Sequence, residues 1–187
     1  VFSFSVSGDG VKVGEVDLDE LEQNRYQDLS KRLASLSAQF SDNVLDATDD
    51  YVLNVGERSR LEGLPAAILS EAKVKAGSLD QEGWSFTLKA PCWIPFMESC
   101  RDRSLREEMY HAYVTRASEY GNQTFDNSTT IVDILSARHE KAKLLGFDSY
   151  AHLSFTTKMA AEPQRALDLM AELSDRARDR AVSELEM

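Results

Sequence analysis

The stretch DLDELEQNRYQDLSKRLASLSAQFSDNVLD, residues 17–46, decides the fold. Within it Leu18, Leu21, Leu29, Leu33, Leu36, Phe40 and Val44 recur at steps of three or four residues or their multiples. A helix turns once every 3.6 residues, so these positions form one apolar stripe and the stretch reads as a single long amphipathic helix. At 1.5 Å per residue, about 30 residues span about 45 Å. That is more than a minimal compact domain needs, and the helix is expected to pack along something large.

Downstream of it, Tyr51-Val52-Leu53-Asn54-Val55 and Trp84-Ser85-Phe86-Thr87-Leu88 are rich in branched and aromatic residues and read as short strands. Between them Leu64-Pro65 opens a helix, because proline fits the first helical position. The two strands are expected to pair as a small antiparallel ribbon. Leu105, Met109, Tyr110 and Tyr113 predict a helix from about Ser104 to Tyr120, stopped by Gly121. A second is expected from Ser128, as its N-cap, to Leu145, with Gly146 as its stop. A short helix follows in Ser149–Thr157. Glu162-Pro163 opens a last one that carries Leu167, Met170, Leu173 and Ala177. At the other end, FSFSVSGDGVKV alternates apolar and polar residues around Gly8-Asp9-Gly10, a hairpin signal. Its glycines miss the G-x-G-x-x-G phosphate-loop spacing, and no strand-glycine-helix unit surrounds them. The fold class is therefore mainly α: a helical lobe with one long amphipathic helix, several shorter helices and a small antiparallel β ribbon.

The chain has 187 residues, 42% of them hydrophobic, enough for a sizeable core. Thirty-two acidic side chains against 21 basic ones give a formal net charge of −11. Nucleic acid and anionic membranes would be repelled by most of such a surface. No run of about 18 apolar residues is present, and the first residues show neither a basic start nor a long apolar stretch. A soluble, cytoplasmic protein is expected. Cys92 and Cys100, if helical between, lie about 12 Å apart, too far for a disulfide. They read as reduced thiols. The N-glycosylation patterns at Asn122 and Asn127 have no export signal to give them meaning.

Three histidines are candidates for chemistry: His111, His139 and His152. His139-Glu140 looks like the start of the zinc motif H-E-x-x-H, in which residues i and i+4 share one helical face. The position four after His139 is Lys143, a cation that repels zinc, so the motif fails. A site joining His111, His139 and a carboxylate lacks ligand spacing, and solvated or satisfied histidines are the plain reading. No serine has a nucleophile-elbow sequence, and neither cysteine has a neighbouring His or basic cluster to lower its pKa. Carboxylates are too numerous to single out an acid/base pair. Arg106, Arg116 and Arg138 stand out, since arginine clamps a carboxylate, including a peptide terminus, bidentately. The plainer alternative is ion pairing with neighbouring Glu residues, and it is the expectation.

DNVLDAT (42–48), LREEMYHAYVTRAS (105–118), FDNSTTIVDILSARHEKAKLLGFDSYAH (125–152) and TKMAAEP (157–163) together resemble the thimet oligopeptidase family of zinc metallopeptidases. The likeness runs from about Leu33 to Met187, whereas the first 25 residues match only loosely. It implies a two-lobed, mostly helical peptidase around a deep channel that admits short peptides and excludes folded proteins. In that family the zinc helix, with its full H-E-x-x-H and a further Glu, lies downstream of the segment resembling RHEKAKLLGF. No catalytic, cofactor-binding or metal-ligating residue of the family maps onto residues 1–187. The resemblance therefore implies that 1–187 is a single helical region from the upstream, non-zinc portion of a larger enzyme. Its expected partners are the missing catalytic lobe and, in the parent, short peptides and zinc.

The final RALDLMAELSDRARDRAVSELEM stays helix-favouring to its last residue, and Val1 is not an initiator Met, so both ends read as cut. The fragment is expected to be inactive and zinc-free alone, and to associate with itself through apolar surface. The alternative, from another class, is a stand-alone helical binding module without catalysis. A structural zinc protein built on the three histidines is the weakest reading.

Overall fold

The computed structural model describes residues 18–186; the hairpin expected around Gly8-Asp9-Gly10 lies outside them. Seven α-helices and two strands are present among the described residues: α1 Glu20–Asp50, β1 Val52–Val55, α2 Ala66–Ser78, β2 Trp84–Thr87, α3 Ala90–Ser99, α4 Arg103–Thr115, α5 Ser128–Leu144, α6 Tyr150–Phe155 and α7 Pro163–Leu185. Short 3-10 turns occur at Arg58–Leu61 and Gln123–Phe125. The mainly helical class with a small antiparallel sheet is what the patterning predicts. Two compact units divide the chain: one joins residues up to Ser35 with those from Ile134 onward, the other is Leu36–Asp133. Helices α1 and α5 each contribute residues to both.

α1 starts where a reciprocal capping pair closes it. The Glu22 N–H donates to the Asp19 carboxylate at 2.8 Å, and the Asp19 N–H donates to the Glu22 carboxylate at 3.1 Å, so two donors that the first helical turn cannot satisfy internally are met. The helix continues to Asp50, four residues past the expected end, through Ala47, which is buried. Of the expected stripe Leu29 is fully buried, but Leu21 is 80% exposed.

In the unit Leu36–Asp133, β1 and β2 pair antiparallel with Val52 opposite Thr87 and Leu53 opposite Phe86. Leu53 and Val55 turn into the core, while the outward Asn54 amide donates to the Glu82 carbonyl and the Ser85 hydroxyl, both at 3.0 Å. Leu69 and Ala72 of α2, Phe96 of α3, and Leu105 and Met109 of α4 close on the same cluster. Phe86 and Phe96 meet edge to face with ring centroids 4.8 Å apart, a geometry that sets the positive ring edge against the negative face. Pro65 stands at the N-cap of α2, one position before the expected first helical turn.

Two helix ends depart from expectation. α4 stops at Thr115, not near Tyr120. The Arg116 guanidinium donates to the Tyr113 carbonyl and the Ser118 hydroxyl to the Thr115 carbonyl, so side chains take acceptors that further helical amides would use. Ala117 then adopts a left-handed φ of 53°, and its carbonyl accepts the Asn127 N–H at 3.1 Å. At the start of α5, Ser128 is the first helical residue rather than the cap. The Asp126 carboxylate accepts its N–H at 2.9 Å, and Asn127 supplies the carbonyl for the first helical bond, from Ile131. The far end of α5 follows expectation. With Gly146 at a φ of 80°, the Gly146 N–H reaches the Lys143 carbonyl and the Phe147 N–H the Ala142 carbonyl, the paired bonds of a Schellman stop.

In the other unit, α1 and α5 are tied side by side. Arg25 forks onto both carboxylate oxygens of Glu140 at 2.5 and 2.8 Å, and the Lys141 ammonium donates to the Ser30 hydroxyl at 3.0 Å. α6 begins at a Ser149 cap whose hydroxyl accepts the His152 N–H. α7 buries no residue, and Leu167, Leu169, Met170 and Leu173 are each more than half exposed.

Both tryptophans, Trp84 and Trp93, lie in the unit Leu36–Asp133, so tryptophan fluorescence during urea unfolding reports on that core. Phe96→Ala, which empties a fully buried ring site, is expected to destabilise it by about 3–5 kcal/mol. Leu169→Ala on α7 is expected to change it by less than about 0.5 kcal/mol.

Candidate functional site

The three histidines are placed on three different helices. His111 stands on α4, exposed, beside a shallow groove lined by Tyr51, Ser104, Glu107, Glu108 and Ala112. His139 is exposed on α5. The His152 Nδ1 lies 2.9 Å from the Ser149 hydroxyl, within the cap of α6. Among the described residues no group of three or more His, Cys, Asp and Glu side chains stands close enough to hold a metal ion, so the residues present do not make up a zinc site. Glu140, the would-be general base of a zinc motif, is instead the structural partner of Arg25. That contact, together with the Arg25 and Arg32 charges, holds its carboxyl below the usual range.

The three arginines do not pair with glutamates among the described residues. Arg106 donates to the Cys100 carbonyl. Arg116 lies 3.7 Å over the Tyr113 ring, whose centroid is 4.0 Å from the Trp93 ring in a near-parallel stack. Two groups that close to one ring must occupy its opposite faces, giving a layered order of Trp93, Tyr113 and Arg116. The Arg116 Nε is buried without a partner, out of reach of an incoming carboxylate. Arg138 lies over the Tyr150 ring at 5.1 Å. Backbone carbonyls and aromatic faces thus replace the expected Glu partners, because α4 ends early and brings its own last-turn carbonyls to the guanidinium of Arg116.

Both thiols are free. Burial pushes the pKa of Cys92 and of Cys100 up, against a weaker opposing pull from the Thr87 contact at Cys92 and the Asp102 backbone at Cys100. A protonated buried thiol is a poor nucleophile. Asp102 is the polar anchor nearby. It caps α4 by accepting the Ser104 and Leu105 N–H groups, and it accepts from Arg60 at 2.8 Å. Arg60 and Ser104 between them hold its carboxyl well below the usual carboxylate range. Sequence reasoning did not single out this residue, although D-R-S-L ahead of an apolar-periodic run is a cap signal.

Comparison with known proteins gives these features a setting. Residues 96–187 match the model for Peptidase family M3, a family of metallopeptidases. Among curated proteins, the similarity is to oligopeptidase A. The chain is 44% identical over 172 residues to oligopeptidase A of Salmonella typhimurium, covering 91% of this chain and 25% of that protein. Its identity to "Probable cytosolic oligopeptidase A" of Arabidopsis thaliana is 37% over 178 residues, 91% of this chain and 25% of the relative. With dipeptidyl carboxypeptidase of Escherichia coli it shares 32% over 179 residues, 94% of this chain and 25% of the relative. The chain spans about a quarter of the length of these curated relatives.

Two outcomes test the site assignments. Cys100, which is buried, is expected to react with a thiol-specific disulfide reagent at neutral pH only as fast as the protein opens, and rapidly in denaturant. Glu140 has a folded pKa below its unfolded value of about 4.3. Its contribution is therefore fully present above that value and lost as pH falls through the folded pKa. The urea midpoint of Glu140→Gln, followed by circular dichroism, should lie below that of the parent by a constant amount from pH 7 to pH 5. The gap should close below about pH 4.

Proposed function

We propose that this chain is part of a larger zinc metallo-oligopeptidase of the cytoplasm. The parent hydrolyses peptide bonds in short peptides, including signal-peptide remnants and degradation intermediates, using metal-activated water. Residues 1–187 supply channel wall and structural support, hold no zinc and have no peptidase activity alone. The observation that carries this reading is the alignment itself: nine-tenths of the chain corresponds to a quarter of oligopeptidase A. Two features of the molecule support it. The His139-Glu140 pair faces Lys143 where a second histidine would stand, and its carboxylate is engaged by Arg25. α7 presents Leu167, Leu169, Met170 and Leu173 to solvent, an apolar face that suits packing against the remaining lobe.

The first experiment is to read the coding sequence beyond the codon for Met187. An open frame leading to H-E-x-x-H and a later Glu is the expected result. A stop codon would leave the competing reading, a helical binding module without catalysis. For the chain itself, a fluorogenic-peptide assay with added zinc is expected to give no turnover, and zinc-dependent cleavage would overturn the assignment of support alone. Light scattering is expected to show self-association at high concentration through α7, and a monodisperse monomer would count against that exposed face as an interface.

A further inference from the structure

α5 carries two cations that no carboxylate neutralises among the described residues, and both stand at tyrosine rings. Lys141 Nζ donates to the Ser30 hydroxyl at 3.0 Å and lies 4.4 Å over the Tyr26 ring. Arg138, three residues earlier and so on the same helical face, lies 5.1 Å over the Tyr150 ring. Their neighbours on α5 are different: Glu140 is paired with Arg25, and Lys143 with Asp148. Both cations therefore keep their full charge beside aromatic surface. Beside them is a pocket of about 240 Å³, lined by Tyr26, Lys141, Leu145, Tyr150, Leu153 and Ser154. It belongs wholly to the unit that contains α6. The volume falls below the 300–1,000 Å³ usual for drug-sized ligands, and it suits a group the size of one amino-acid residue.

We infer that this pocket binds the carboxylate end of a residue-sized ligand, with the anion on Lys141 beside Arg138 and an apolar side chain against Leu145, Leu153 and the two tyrosine rings. The ammonium is held by Ser30 and the Tyr26 ring, which leaves its charge uncompensated and its position fixed, so little ordering is needed when an anion arrives. Leucine and tyrosine surfaces supply the apolar part, and the Ser154 hydroxyl adds a donor at the wall. The same chemistry is offered by a free small carboxylate and by the C-terminus of a peptide. The site stands on this geometry alone and does not depend on the peptidase reading.

The test is an amide-resolved NMR titration of the 187-residue chain with N-acetyl-leucine. Saturable shifts confined to the segments around 26–30, 138–145 and 150–157 are expected. N-acetyl-leucinamide, which lacks the charge, should bind at least about tenfold more weakly, as the loss of one charge-assisted contact implies. Lys141→Gln should reduce affinity by a similar factor, and Ser154→Phe, which fills the pocket and leaves the cation in place, should abolish binding. Circular dichroism confirms that both variants are folded. If the amide binds as well as the acid, if Lys141→Gln binds as well as the parent, or if inorganic phosphate competes as tightly as N-acetyl-leucine, the inference falls. A tripeptide with a free C-terminus that binds more tightly than N-acetyl-leucine identifies the ligand as a peptide end. Equal affinity identifies it as a small carboxylate.

Discussion

The side chain of Asn127 fixes where α5 begins. It is 1% exposed, and its amide donates to the Phe40 carbonyl at 3.1 Å while its carbonyl oxygen accepts from Asn43 at 2.9 Å. A buried amide left without partners costs about 1–3 kcal/mol, so only one placement of residue 127 against the second half of α1 satisfies it. Its backbone works in the same place, giving its N–H to Ala117 and its carbonyl to Ile131. Three segments of the unit Leu36–Asp133, namely the turn after α4, the second half of α1 and the start of α5, converge on this one residue. The left-handed Ala117, otherwise an unfavourable conformation for a residue with a Cβ, is held by that convergence.

The elements with strong periodicity were legible from sequence. α1, the β1–β2 ribbon and the Gly146 stop of α5 each follow from a pattern that local chemistry alone specifies. What the sequence did not show was the early end of α4 and the identity of the α5 cap. Both depend on side chains meeting partners far along the chain or on the next turn. Arg116 and Ser118 take carbonyls that a helix-forming sequence would leave to its own amides, and nothing in R-A-S-E-Y-G announces it. The stripe on α1 was read correctly as a helix, yet Leu21 is exposed, since periodicity gives a face without saying how much of it is covered.

For the candidate chemistry, the sequence showed residue types and spacings but not neighbours in space. The spacing around His139 already ruled out a peptidase zinc helix, and the contact between Glu140 and Arg25 gives that glutamate a structural role of its own. The arginines were wrongly partnered: expected beside glutamates, they are found on backbone carbonyls and aromatic rings. Lys141 attracted no attention in the sequence, because a lysine in a charged helical face carries no signal until its neighbours in space are known. Its ring partner, Tyr26, lies more than a hundred residues away.

Gly121 was read as a helix stop, but its place in the molecule is different. A Cβ built there would come within 2.6 Å of the Thr115 carbonyl oxygen, because the chain folds back over the end of α4 once that helix has terminated. At Gly77, inside α2, the same Cβ would meet nothing within 4 Å. Two glycines that look alike in the sequence therefore differ in how far they can drift. One position is closed to every other amino acid by the backbone it covers. The other is open to alanine, which suits a helix interior better than glycine does.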